Sequence, residues 1–270
     1  MAEITAGLVK ELRELTGLGM MECKKALAES GGDLKKAEEL LRIKSGAKAS
    51  KAASRVAAEG VVGVWLSADA KVGALVELNC ETDFVARNDA FLAFAQSLAE
   101  IAAQRDPGEA EEQRRQALVQ KLGENITIRR FRRLQAKGRL AQYLHANKKI
   151  GVLVDFDGAE EVGKGLTMHI AFYRPQYLSK AQVPADYVQR ERDIQQARAK
   201  DSGKPPEIAA KMVEGALHKH LAEISLLGQP YVLNDKESVE KMLGAQKARV
   251  HDYAVIFVGE GIEKPGETVH

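Results

Sequence analysis

Two stretches decide the fold. Gly60-Val61-Val62-Gly63-Val64-Trp65-Leu66-Ser67-Ala68-Asp69-Ala70-Lys71-Val72-Gly73-Ala74-Leu75-Val76-Glu77-Leu78-Asn79 lies over residues 138–157 without a gap. Gly60 falls on Gly138, Leu66 on Leu144, Ala68 on Ala146, Lys71 on Lys149, Gly73 on Gly151, Leu75 on Leu153 and Val76 on Val154. Trp65 meets Tyr143, one aromatic on another. Each stretch is a pair of β-rich runs around a polar turn, Ala68-Asp69-Ala70 or Ala146-Asn147-Lys148, which is the pattern of a β-hairpin. The parallel continues downstream. The first hairpin leads to helical patterns over 89–104 and 109–122 and a strand from Ile126 to Leu134. The second leads to helical patterns over 160–173 and 236–246 and a strand from Val250 to Val258. The core therefore reads as a duplicated ββααβ arrangement of α+β class, with subdomains over 60–137 and 138–264.

The second copy carries an insertion over 180–228. Pro184–Lys200 and Pro206–Ser225 read as two helices with sparse apolar stripes: Tyr187, Val188 and Ile194 against Ile208, Met212, Val213, Leu217 and Leu221. Narrow stripes with charged flanks predict an antiparallel coiled-coil hairpin. Upstream, residues 1–44 read as a module of three short helices. Thr5 caps the first, with Leu8, Leu12 and Leu15 inward; Met20, Cys23 and Leu27 face inward from the second; Asp33 caps the third, with Leu34, Ala37, Leu40 and Leu41 inward. Residues 45–59 hold little that could fill a core and read as a linker with room for some helix. Residues 265–270 read as a loose tail.

The chain has 270 residues, of which 45% are apolar, enough for a real core. Charged residues reach 29%, yet the net charge is only +2, so no global field marks a nucleic-acid binder. Two cysteines, Cys23 and Cys80, far apart in sequence, do not make a disulfide framework and fit a reducing compartment. Met-Ala-Glu-Ile has no signal-peptide character and no apolar run is long enough to span a bilayer, so a cytoplasmic protein without membrane contact is expected.

Chemistry is hard to find. No phosphate loop or dinucleotide fingerprint is present, so direct nucleotide binding is not expected. The six histidines are scattered, and His218 and His220, two apart on a helix, do not share a face for a metal. Neither a cofactor, a metal nor a catalytic residue is assigned, and an enzyme is not expected. A thiol enzyme built on Cys80 is a distant alternative to a buried structural thiol. The basic run Arg129-Arg130-Phe131-Arg132-Arg133 supports an alternative function, an RNA-binding accessory protein, against the plainer reading of edge-strand charge.

One connection stands apart: Asn79-Cys80-Glu81-Thr82-Asp83-Phe84-Val85-Ala86-Arg87-Asn88, between the strand ending near Leu78 and the helix beginning near Asp89. Surface connections of this kind concentrate binding residues. On composition alone, its Phe84 would be expected to tuck into the core.

Resemblance changes that expectation. Thr5-Ala6-x-Leu8-Val9-Lys10-x-Leu12-Arg13-x-x-Thr16-Gly17-x-Gly19-Met20-Met21-x-Cys23-Lys24-Lys25-Ala26-Leu27 closely resembles the N-terminal module of the bacterial elongation factor Ts family. Asn79–Ala86 resembles that family's second signature. Gly123-Glu124-Asn125-Ile126, Ile150–Val154, Lys211–Gly215, Gly228-Gln229-Pro230 and Gly259–Lys264 follow in family order. The resemblance implies a guanine nucleotide exchange factor for the GTPase elongation factor Tu, with a ubiquitin-associated-like N-terminal module. It implies that Phe84 is a wedge entering the GTPase near its magnesium site, within a partner-binding segment Thr82, Asp83, Phe84 and Val85. Lys24, Lys51, Leu122, Gly123, His145, Val232 and Leu233 match further contacts with the partner. Longer family members carry a further C-terminal helical segment, whose contact is expected to be absent here. Whether the hairpin serves a homodimer or a 2:2 complex stays open.

Overall fold

Thr5 accepts a hydrogen bond from the Leu8 N–H and so starts α1 (Ala6–Thr16), which ends where Gly17 takes a φ of 66°. After it come α2 (Met20–Glu29) and α3 (Leu34–Ala52), the latter capped by Asp33 on the Lys36 N–H. In the computed structural model, which describes residues 4–201 and 203–263, these helices close over Val9, Leu12, Leu18, Cys23, Ala26, Leu27, Ala37 and Leu41. Two expected core residues point outward: Leu15 is 61% exposed and Met20 58%. Leu18, in the turn between the helices, fills the place instead.

The expected linker at 45–59 is largely not one. α3 continues through it to Ala52, burying Ser45, Ala49 and Ala52. Small side chains fill no volume of their own, but they let two helix backbones approach closely. That approach is to the helix Glu109–Leu122, and the Ser45 hydroxyl bonds Gln120 on it. Gln120 in turn reaches Glu22, which also pairs with Lys48 at 2.9 Å.

The core begins with β1 (Glu59–Leu66) and β2 (Val72–Cys80). The one-turn α4 (Asp83–Ala86), α5 (Asp89–Gln104), α6 (Glu109–Leu122) and β3 (Thr127–Gln135) complete the first unit. The second unit has β4 (Arg139–Leu144), β5 (Ile150–Asp157) and α7 (Glu160–Tyr173). Then come α8 (Ala185–Asp201), α9 (Pro206–Glu223), the short β6 (Pro230–Tyr231) and β7 (Asn234–Ser238), α10 (Val239–Ala245) and β8 (Arg249–Phe257). The helix expected from residue 236 starts at Val239, because residues 234–238 pair with β6 and the Ser238 side chain caps α10. The tail 265–270 lies outside the described residues.

The antiparallel sheets β1-β2-β3 and β4-β5-β8 repeat one another in register. Each has a bulge at the same place, between Glu77 and Leu78 in β2 and between Asp155 and Phe156 in β5. The hairpin turns also match, with Ala70 at φ 55° and Lys148 at φ 57°. The sheets pack face to face across Val62, Val64, Leu75, Leu153, Ala254 and Ile256.

The packing is reciprocal. The Leu140 N–H donates to Ala70 O at 2.8 Å, and the corresponding Val62 N–H donates to Lys148 O at 2.7 Å. A Cβ on Gly73 would touch Leu140 and Leu153, and one on Gly151 would strike Val62 and Leu75. Outside the sheets, α5 buries Phe91, Phe94 and Leu98 on the first. On the second, α7 and α10 bury Leu166, Ile170, Met242 and Leu243.

α8 and α9 form the hairpin. Ala199, Val213 and Leu217 are buried, and the Tyr187 hydroxyl meets His220 at 2.9 Å. Ile194, Ile208 and Met212, expected between the helices, are exposed instead. No helix among the described residues is long and apolar enough to cross a membrane.

Candidate functional site

Between β2 and α5 the chain turns through residues 81–88. Thr82 caps α4, its hydroxyl accepting from the Val85 N–H at 3.4 Å. Asn88 then caps α5 on the Ala90 N–H. Ala86 is buried and Val85 packs against the first core. Phe84 does neither: 81% of it is exposed. Asp83 pairs with Arg87 at 2.8 Å on the outer side of the turn.

Two carboxylates brace this turn from opposite directions. Glu124 Oε2 accepts from the N–H groups of Glu81 and Thr82, both at 3.0 Å, and its Oε1 accepts from the Thr82 hydroxyl at 2.5 Å. The Glu81 carboxylate accepts from the Asn125 N–H at 2.5 Å and pairs with Arg55 at 3.2 Å. Arg55, just beyond α3, also donates to Gly123 O at 3.1 Å, and Asn125 Nδ2 donates to Arg55 O at 2.6 Å. Glu81, Glu124, Asn125 and Arg55 were not among the residues assigned to the site from the sequence. The signal for them was the Gly123-Glu124-Asn125 motif, whose partner could not be named without the fold.

The clamp draws together Thr82, Asp83, Phe84 and Val85 with Leu122 and Gly123. Gly123 sits at φ 80°, where it ends α6. Leu122 is half-buried against the first core. Lys51 is exposed in the last turn of α3, one turn before Arg55. The other candidates stand on separate elements. Lys24 is exposed on α2. His145, in the turn between β4 and β5, holds Asn147 Oδ1 at 3.0 Å.

Val232 and Leu233 follow β6 and diverge in role. Val232 packs against the second core, and its N–H donates to His169 Nδ1 at 3.1 Å. Leu233 is 63% exposed. His169 is fully buried, and its Nε2 meets Gln229 Oε1 at 2.9 Å. Burial lowers its pKa, outweighing the Gln229 hydrogen bond, so the ring is held neutral.

Two alternatives lose their footing. Cys80 is buried and its thiol is pushed up to about 12, first by burial and then by the nearby carboxylates of Glu124 and Glu59. A nucleophile needs the opposite shift. In the basic run, Arg129 and Arg130 both turn to the buried Glu77, at 3.0 and 2.6 Å. The bulge explains the convergence, since it sets two β3 residues against one on β2. Burial works against the Glu77 charge, but the Gly259 N–H and the two arginines outweigh it and hold the carboxyl below its ordinary value. Arg133 reaches Ala102 O and Asp106. Three of the four arginines proposed for RNA are thus engaged within the fold. Among the described residues no cluster of His, Cys, Asp and Glu could hold a metal ion.

The family described as Elongation factor TS matches residues 81–260, from the Phe84 turn to the end of the second sheet. An elongation factor Ts of Nitrosospira multiformis is 56% identical over 281 aligned residues, covering 98% of this chain and 93% of the relative. Those of Nitrosomonas eutropha and Bordetella petrii are each 54% identical, covering 99% and 98% of this chain and 95% and 94% of the relatives. The chain belongs to the elongation factor Ts family, and its role lies in translation elongation.

Proposed function

We propose that the chain is a guanine nucleotide exchange factor that binds elongation factor Tu in its GDP-bound form and promotes GDP release in the cytoplasm. The observation that carries this reading is Phe84: a large apolar side chain, 81% exposed, on a one-turn helix held in place by the Glu81–Glu124 clamp. An exposed aromatic on a fixed turn has its conformational cost met before binding. Burying the ring in a partner contributes about 1.5–3 kcal/mol.

Coupling turns that energy into exchange. A protein that binds nucleotide-free GTPase more tightly than the GDP complex must weaken GDP by the same factor. A ring that can be buried only when the magnesium and phosphate site is disturbed favours the nucleotide-free state by on the order of 10- to 150-fold. Asp83 would leave its exposed pair with Arg87 to hold the displaced segment of the GTPase, a small loss for a solvated ion pair. Lys24, Lys51, Leu122, Gly123, His145, Val232 and Leu233 would supply the remaining contacts, with Leu233 the exposed apolar member of the last pair. On this reading the chain makes and breaks no covalent bond.

The test is release of a fluorescent GDP from elongation factor Tu with the wild-type chain and with Phe84→Ala. Acceleration by wild type and its loss in a folded variant that still binds Tu uphold the proposal. If wild type does not accelerate release, the exchange function is wrong. If both act equally, the ring is not the wedge.

A further inference from the structure

A four-residue helix does not hold itself. It fixes backbone dihedrals for almost no internal hydrogen bonds, so its stability must come from outside. α4 is anchored below by Ala86 and Val85, but its start, where Phe84 is the second helical residue, has no apolar anchor. What fixes that start is Thr82, and what fixes Thr82 is Glu124.

The connection is directional. Glu124 Oε1 accepts the hydrogen bond that the Thr82 hydroxyl donates at 2.5 Å, leaving a lone pair of Thr82 Oγ1 to accept from the Val85 N–H. Oε2 holds the two preceding N–H groups, those of Glu81 and Thr82, and so sets the path of the backbone into the helix. Glu124 is itself held from both sides. Gly123 before it accepts from Arg55, and Asn125 after it is bound by the Glu81 carboxylate and the Arg55 carbonyl. Both of its oxygens are engaged within the chain, so it reaches a partner only through what it orients.

We propose that Glu124 is the positioning residue of the site: it sets the direction in which Phe84 is presented, by orienting the Thr82 cap. The effect on exchange rests on the function proposed above; the effect on the turn does not. Geometry is the active ingredient, and Glu124→Gln separates it from charge. A glutamine Oε1 can accept from both N–H groups while its Nε2 donates to the threonine oxygen. Glu124→Ala removes all three bonds.

Two readouts test this. The first is time-resolved anisotropy of an indole placed by Phe84→Trp in a Trp65→Phe background, which holds no other tryptophan. Glu124→Ala is expected to add fast local motion at position 84, whereas the natural Trp65 in an otherwise unaltered Glu124→Ala chain keeps wild-type anisotropy. Glu124→Gln stays close to wild type at both positions. The second readout is GDP release from elongation factor Tu across concentrations of the chain carrying its natural Phe84. Glu124→Ala is expected to lower the maximal rate about tenfold with less than a threefold change in the half-saturating concentration, since a misdirected wedge costs the disturbed state more than the encounter. Glu124→Gln is expected to remain within about threefold of wild type.

Unchanged anisotropy at position 84 in Glu124→Ala overturns the proposal, as does equal loosening at 84 and 65, which marks general destabilisation. Glu124→Gln as impaired as Glu124→Ala overturns the geometric account. If Phe84→Ala itself accelerates release as wild type does, the wedge reading fails, and the anisotropy alone decides whether Glu124 positions residue 84. Should Glu124→Ala not fold, Glu124→Asp, one methylene short of its partners, carries the same measurements.

Discussion

The two strand-to-helix connections of the core differ where their surroundings match. β2 and β5 occupy the same place in sheets of the same order, and each leads to a helix that packs on the outer face. From β5 the chain reaches α7 through Gly158 and Ala159 alone. From β2 it takes residues 81–88 to reach α5. A two-residue joint is thus sufficient for this topology, so the longer turn is not something the fold requires. It carries an exposed phenylalanine and has its own brace. An element that costs length and order without serving the scaffold is where function is to be sought.

The comparison breaks most easily at its phenylalanines. Phe91, seven residues beyond Phe84, is fully buried on α5, and Phe91→Ala is expected to cost about 3–5 kcal/mol in urea unfolding. Phe84→Ala should stay within about 0.5 kcal/mol of wild type while exchange is lost. Equal losses of stability would show that the turn belongs to the scaffold after all.

A second measurement sharpens the match between the sheets. A Cβ at Gly151 would lie 2.5 Å from Val62 Cγ1, whereas one at Gly73 would lie 3.0–3.2 Å from leucine methyls. Gly151→Ala is expected to cost about 1–3 kcal/mol and Gly73→Ala about 1 kcal/mol or less, measured the same way.

The two halves should also part on acidification. His169 in the second half has a lowered pKa because burial disfavours its charge. Its stabilising effect is therefore present above the unfolded value, about 6.5, and is lost as pH falls through the lower folded value. Protonation would also put a second N–H against that of Val232. Glu111 in the first half is held down to about 2 by Arg105 and then by the Gly108 N–H. Its contribution is present above the unfolded carboxylate range and is lost only as pH falls toward 2. Protection of the 231–233 amides, taken relative to their intrinsic exchange rates, should therefore fall below about pH 6.5, before it does in residues 108–111. The reverse order would contradict this assignment. The smallest expected effect is that of Arg87→Ala, which breaks an exposed pair and should change stability by less than about 0.5 kcal/mol.

Much of the α+β architecture was legible because it rests on local pattern. The β-rich runs of 60–79 and 138–157 become hairpins, and the helical pattern over 160–173 is α7. What failed were inferences that depend on what lies opposite. Ser45, Ala49 and Ala52 look unable to fill a core until α6 comes close enough to need only small residues. Leu15 and Met20 have core chemistry but no partner face, since Leu18 closes the module first. Arg129 and Arg130 look like a surface charge run because the bulge that aims both at Glu77 has no signature in composition. Phe84 was understood through resemblance, not pattern: apolar content alone would have buried it. The clamp was invisible for a related reason, as its members are drawn from three distant segments.

That distance has a consequence for folding. Arg55 and Asn125 are 70 positions apart, and Glu81 and Glu124 are 43 apart. Contacts of such separation form only after the intervening chain has been gathered, and here that chain includes β2, α5 and α6. A nascent or partly folded chain therefore has the phenylalanine but not its fixed direction. The clamp acts as a completion check: the exposed turn takes its final form only once the first half of the core has closed.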